Sequence, residues 1–193
     1  MLAETHSTKK LVENGLEAFR AEDYQKAIIS FLQAVEEYKS NNELLPAAEA
    51  ANNLSLCYLK SGNPKKAFEF VDGTDKVFEK ANDTNRQAIA LANQAAVLEG
   101  LKKYDQAVLK YEESSRLFKE DGNREKRVMV LESLSQLHLK MGNQLDAMAT
   151  MQIALDNKKK PSVIERFLKK LLQIPFRSWY FLIFRIWMYY GRF

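Results

Sequence analysis

Few residues in this chain are equipped for chemistry. It carries two histidines, His6 and His138, and one cysteine, Cys57. His6 lies in a polar stretch at the start. His138 holds an aromatic-type position in a helical pattern, which suits a core or half-buried imidazole better than an acid–base catalyst. Cys57 sits inside LSLCYL, an apolar helical run that makes it a small buried hydrophobe. One cysteine excludes an intramolecular disulfide and a Cys-based zinc cluster. No Ser/His/Asp grouping, phosphate-cradling glycine loop or metal-ligand spacing occurs. Many Asp and Glu fall four residues from a Lys along helix faces, the usual solvated pattern. A non-enzyme with no cofactor is therefore expected. The groups left for recognition are amides. Asn53 and Asn93 stand forty residues apart, and each offers a donor and an acceptor. A ladder of such amides can bracket an extended peptide backbone without reading its sequence. A solvated helix position explains each amide taken alone equally well.

That spacing belongs to a larger period. Ala27, Ala67, Ala107 and Ala147 recur every forty residues within DYQKAIISFLQA, NPKKAFEFVDGT, KYDQAVLKYEES and NQLDAMATMQIA. A period of this length marks a solenoid of helix pairs, whose usual product is a long concave surface. Each repeat reads as a first helix, a tight turn and a second helix. The turns are Glu22-Asp23-Tyr24, Gly62-Asn63-Pro64, Lys102-Lys103-Tyr104 and Gly142-Asn143-Gln144. Gly62 and Gly142 suit a left-handed helix end, and Pro64 suits a helix start. In the second helices, Ala27/Phe31/Ala34, Ala67/Val71/Thr74, Ala107/Tyr111/Ser114 and Ala147/Met151/Ala154 form one stripe. The small residues allow close approach of helix axes, and the bulky one fills the groove. Tyr38, Phe78 and Phe118 recur at the same period and lengthen these helices until the polar breaks Asn41-Asn42, Asn82-Asp83 and Asp121-Gly122-Asn123. Lys158 replaces the aromatic in the fourth copy, so its second helix is expected to stop near 156–160.

The chain resembles the tetratricopeptide repeat family in its longer, forty-residue form. The family's first-helix pattern is met by Leu11/Asn14/Gly15/Ala18, Ala51/Leu54/Ser55/Tyr58, Leu91/Gln94/Ala95/Leu98 and Leu131/Leu134/Ser135/His138. Asp23-Tyr24 and Tyr104 match its turn, while Asn14, Gln94 and His138 depart from it, as does the missing terminal proline of most repeats. The resemblance covers about 8–157 and implies an all-α, right-handed superhelical array of four helical hairpins, spanning about 8–42, 45–82, 84–122 and 124–157. It also implies a partner-binding concave face made by the first helices: Lys9 and Glu13, then Asn52, Asn53, Leu56 and Lys60, then Asn93, Ala96 and Glu99, then Glu132, Ser133, Gln136 and Lys140. Family members that clamp a C-terminal carboxylate need polar groups where Val12 and Leu16 stand, so Lys9, Asn53 and Lys60 make only a partial clamp. Mixed signs along the face give the ligand no charge preference.

The two ends differ from the array. Residues 1–7 read as a disordered tail, and MLAETHSTKK lacks the apolar core of a secretory signal, so a cytoplasmic setting is expected. Residues 157–193 hold nine Lys and Arg against one Glu, a net +8, while the rest of the chain nets −4. A basic linker leads to SVIERFLKKLLQI, an amphipathic helix read as the cap of the array within 158–173. The last twenty residues, 174–193, hold nine of the 21 aromatic residues and both tryptophans. On a helix their Arg177, Ser178, Arg185 and Arg192 share a narrow stripe, with Trp179, Phe181, Phe184 and Trp187 among the apolar remainder. Such an aromatic, cationic tail helix suits an anionic bilayer surface, and a short tail anchor is compatible with it. Ile174–Tyr190 is 17 residues with Arg185 well inside, which sits badly with a full span. Burial against protein and a frame-shifted end remain alternatives. Nucleic acid is disfavoured, because the aromatics alternate with Leu, Ile and Met that such a surface does not need. The expected function is a non-catalytic adaptor for a peptide or protein segment, tethered at its C-terminus to a membrane. The competing reading is a soluble chaperone or assembly factor whose C-terminal segment docks on protein.

Overall fold

The structure, a computed structural model, describes residues 2–172. Ten helices follow one another and no strand occurs among the described residues: α1 Leu2–Arg20, α2 Tyr24–Ser40, α3 Leu44–Lys60, α4 Pro64–Val71, α5 Thr74–Lys80, α6 Thr84–Gly100, α7 Tyr104–Glu120, α8 Arg124–Lys140, α9 Gln144–Asn157 and α10 Val163–Leu172. Helices α1 to α9 form an all-α repeat solenoid in which sequence neighbours pack on each other.

A twenty-residue rhythm underlies the forty-residue one. Positions 22, 42, 62, 82, 102, 122 and 142 each lie in a three-residue connection, and all seven have positive φ, between 55° and 82°. Each such residue ends a helix in the left-handed conformation. Around Gly62, for example, the Gly62 amide donates to the Leu59 carbonyl (3.1 Å) and the Asn63 amide to that of Tyr58 (2.8 Å). This double closure satisfies carbonyls that the helix end would otherwise strand. At four of the seven the next residue then caps the following helix: Asp23, Asn63, Asp83 and Asn123 accept from the backbone amides of Lys26, Lys66, Arg86 and Lys126. One turn serves both inside a hairpin and between hairpins.

The small-residue stripe lies at the seams. Ala27, Ala67, Ala107 and Ala147 are buried, as are Phe31, Val71 and Tyr111. Gly15 approaches so closely that a Cβ there would stand 2.9 Å from the Phe31 ring. Two small polar residues bridge helices instead: the Ser114 hydroxyl donates to the Ala88 carbonyl (2.7 Å) and that of Ser135 to the Ala147 carbonyl (2.8 Å). Phe78 and Phe118 are buried beneath cations one helix on, with Arg86 5.2 Å and Lys126 5.9 Å from their ring centres.

Two expectations need correction. Residues 2–7 are helical, because Leu-Ala-Glu favours a helix and buried Thr8 ties α1 to α2 by donating to the Glu37 carboxylate (2.7 Å). The second helix of the second repeat is broken: Asp72 is extended and Gly73 has φ 76°, so α4 and α5 are separate. Helix α10, read as the cap of the array, rests on α9 with Leu168, Leu171 and Leu172 half-buried and no residue fully buried. The tail helix expected over 174–193, with Arg177, Trp179, Phe181, Phe184, Arg185, Trp187 and Arg192, lies outside the described residues.

Candidate functional site

The recognition face expected from the sequence lies on α1, α3, α6 and α8. Asn53 in α3 and Asn93 in α6 are half-buried, and neither amide has a hydrogen-bond partner among the described residues. Leu56 is half-buried beside Asn53's turn of helix, and Lys60 and Gln136 are exposed. Lys9 and Glu13 in α1 are exposed.

Asn52 behaves differently. It is buried, and its side-chain oxygen accepts from the Thr74 hydroxyl (3.1 Å), so it faces the interior rather than a partner. The cause is the break between α4 and α5, which strands the Val71 carbonyl inside the protein. The Thr74 hydroxyl donates to that carbonyl (2.8 Å), and the Gln94 amide reaches it from α6 (3.1 Å). Gln94 also donates to buried Asp75 (2.6 Å), whose second oxygen faces the Lys110 ammonium at 3.6 Å. A buried polar group without a partner costs roughly 1–3 kcal/mol, so these amides are consumed by the break. The same break opens a groove of about 280 Å³ lined by Leu44, Ala47, Phe70, Asp72, Gly73 and Val77. The adjacent Asp72-Gly73 pair was the signal for it in the sequence.

Three further members of the face are paired. Lys140 reaches back one repeat to Glu99 (3.1 Å) and lies 5.2 Å from the centre of the Tyr104 ring, and Glu99 holds its proton affinity up. Glu132 binds Lys158 (3.2 Å). The Glu99, Glu132 and Lys140 charges of this face are thus paired within the chain.

Of the chemically capable residues, Cys57 and His138 are both buried. Burial pushes the Cys57 thiol up to about 11, which removes thiolate at neutral pH. His138 is buried and its Nδ1 has no partner among the described residues. No cluster of His, Cys, Asp or Glu able to hold a metal occurs among the described residues, and no helix there is long and apolar enough to cross a membrane.

Comparison with solved structures follows the same architecture. BtubC (BKLC) from P. vanneervenii superposes with a TM-score of 0.70 at 16% identity, covering 85% of this chain and 70% of that one. The TPR-like repeats of a putative kinesin light chain from Podosopora anserina give 0.70 at 14% identity, with 86% of each chain covered. A variant form of those repeats gives 0.67, also at 14% identity, covering 77% of this chain and 74% of that one. The chain has a tetratricopeptide-type fold. No protein-family model and no curated protein matches it. At these identities the likeness speaks for fold alone, and that fold generally serves as a protein-interaction scaffold.

Proposed function

We propose that this tetratricopeptide-type array is a non-catalytic adaptor. It holds an extended peptide or protein segment along the face of α1, α3, α6 and α8, in the cytoplasm, with its C-terminal segment attached to a membrane surface. One observation carries the binding reading. Asn53 and Asn93 occupy the same position in successive repeats and lack internal partners, whereas their neighbours Asn52 and Gln94 are both engaged inside. An unpaired, half-buried amide pair at a fixed repeat spacing suits the alternating donors and acceptors of an extended backbone. Leu56 and Ala96 supply apolar floor between the amides.

The test is selection of peptides on the full chain, followed by titration of a selected peptide against Asn53→Ala and Asn93→Ala. Each substitution is expected to weaken binding by about 0.5–1.5 kcal/mol, the net worth of a hydrogen bond. Melting should stay within about 0.5 kcal/mol of the parent, as for other surface changes. Unchanged affinity in both variants would remove the amides from the site.

A further inference from the structure

Helix α10 is held on the array by ion pairs as well as by half-buried leucines. Lys158, in the linker, binds Glu132 of α8 (3.2 Å) and Glu165 of α10 (2.6 Å) at once, and Lys169 binds Asp156 of α9 (2.7 Å). Ser162 and Glu165 cap the helix reciprocally: the Ser162 amide donates to the Glu165 carboxylate (2.7 Å), and the Glu165 amide to the Ser162 hydroxyl (3.3 Å). These contacts turn Glu165 and Lys169 toward the array, with Leu168, Leu171 and Leu172 half-buried. The opposite side is exposed except at Leu171. Val163, Ile164 and Phe167 are 78%, 79% and 67% exposed. At 100° per residue they share an arc of about 160° with Arg166 and Lys170, which are exposed as well.

A helix normally buries its apolar residues against its own protein and turns its charges out. In α10 the leucines Leu168, Leu171 and Leu172 follow that rule in part, and Val163, Ile164 and Phe167 form a contiguous apolar group that does not. We infer that the outward face of α10, formed by Val163, Ile164 and Phe167 with Arg166 and Lys170 at its edge, seats in an anionic bilayer surface. Residues 158–172 carry a net +5, and Lys159 and Lys160 are exposed just before the helix. That charge complements anionic headgroups while the three apolar side chains enter the acyl boundary. A second copy of this chain would bring a like-charged face, which opposes pairing of two such helices. The inference rests on the membrane attachment proposed above. It moves part of the contact from the aromatic residues of 174–193 onto a folded helix fixed to the fourth repeat, which would set the array's orientation on the membrane.

The experiment is co-sedimentation of the full chain with phosphatidylcholine vesicles, with and without phosphatidylserine. The doubly substituted Ile164→Gln/Phe167→Gln chain should bind phosphatidylserine vesicles at least tenfold more weakly than the parent. Arg166→Gln and Lys170→Gln should each weaken binding by about fivefold, the equivalent of about 1 kcal/mol per charge at an anionic surface. Melting of the apolar double variant should match the parent. Parent-like binding by that variant, with loss only in Trp179→Ala/Trp187→Ala, would overturn the α10 inference and leave the tether standing. A parent chain that binds neither vesicle would overturn both. A lower melting temperature in the apolar double variant would show that the face is covered by residues 173–193. Concentration-dependent self-association that it abolishes would show a second copy there. Either result also overturns the inference.

Discussion

Helices α2 and α10 are both amphipathic, both follow a capped start, and the chain treats them in opposite ways. In α2, Ala27, Phe31, Ala34 and Tyr38 are all buried between α1 and α3, and the charged residues point out. In α10, Glu165 and Lys169 make ion pairs with the rest of the chain beside the half-buried Leu168, Leu171 and Leu172, and Val163, Ile164 and Phe167 face out. An apolar stripe in a sequence therefore specifies that a face will be covered, and leaves open by what. Within the array the neighbour one turn away always supplies the cover, because a three-residue connection returns the chain against itself. After α9 the connection is Lys158–Ser162, and its lysine is held by two carboxylates on different helices, which sets α10 by ion pairs instead.

The largest test of this contrast is Phe31→Ala. The ring is fully buried against the Gly15 close approach, so its loss should cost about 3–5 kcal/mol; urea unfolding should report it, and an effect below about 1 kcal/mol would deny that the first hairpin is held by this seam. Ala67→Leu should cost less, about 1–3 kcal/mol by overpacking between α4 and its neighbours. A fully tolerated leucine would mean that the helices can spread, against the close approach the alanine period implies.

Much of this contrast can be read from the residues alone. The alanine period places the seams because side-chain volume is what a seam selects. The twenty-residue turn is harder to see, since the residues at its left-handed position are Glu22, Asn42, Gly62, Asn82, Lys102, Gly122 and Gly142. A backbone conformation recurs there without a recurring residue. The break at Asp72-Gly73 hides inside a stripe, Ala67/Val71/Thr74, that continues in phase across it. That concealed break also explains why Asn52 reads as a ligand-facing amide: nothing local reveals that the Thr74 hydroxyl will claim it. Glu99, Lys140 and Glu132 read as separate contacts because their partners lie 41 or 26 residues away in sequence, beyond any single helix. Asn53 and Asn93 are half-buried and make no hydrogen bond among the described residues.

A smaller effect follows from the turn. Lys102 takes φ 61° without the freedom of glycine. Lys102→Gly should stabilise the array by about 0.5–1 kcal/mol, the relief of left-handed strain less the entropy glycine gains on unfolding. Destabilisation on thermal melting would contradict the shared turn.

Hydrogen exchange of the full chain addresses the contrast between α10 and the array most directly. If α10 is docked by ion pairs, its amides should exchange far faster than those of α3, α6 and α8, whose opening requires unpacking of the buried seams. Lys158 holds the Glu165 carboxyl below its ordinary 4.5, so this docking is present above that value and lost as pH falls through the lowered one. Acidification should therefore release α10 before the array loses protection, and phosphatidylserine vesicles at neutral pH should slow α10 exchange selectively. Protection of α10 equal to that of α8 in the absence of vesicles, unchanged by acid, would contradict the account and make the helix a closing cap of the solenoid.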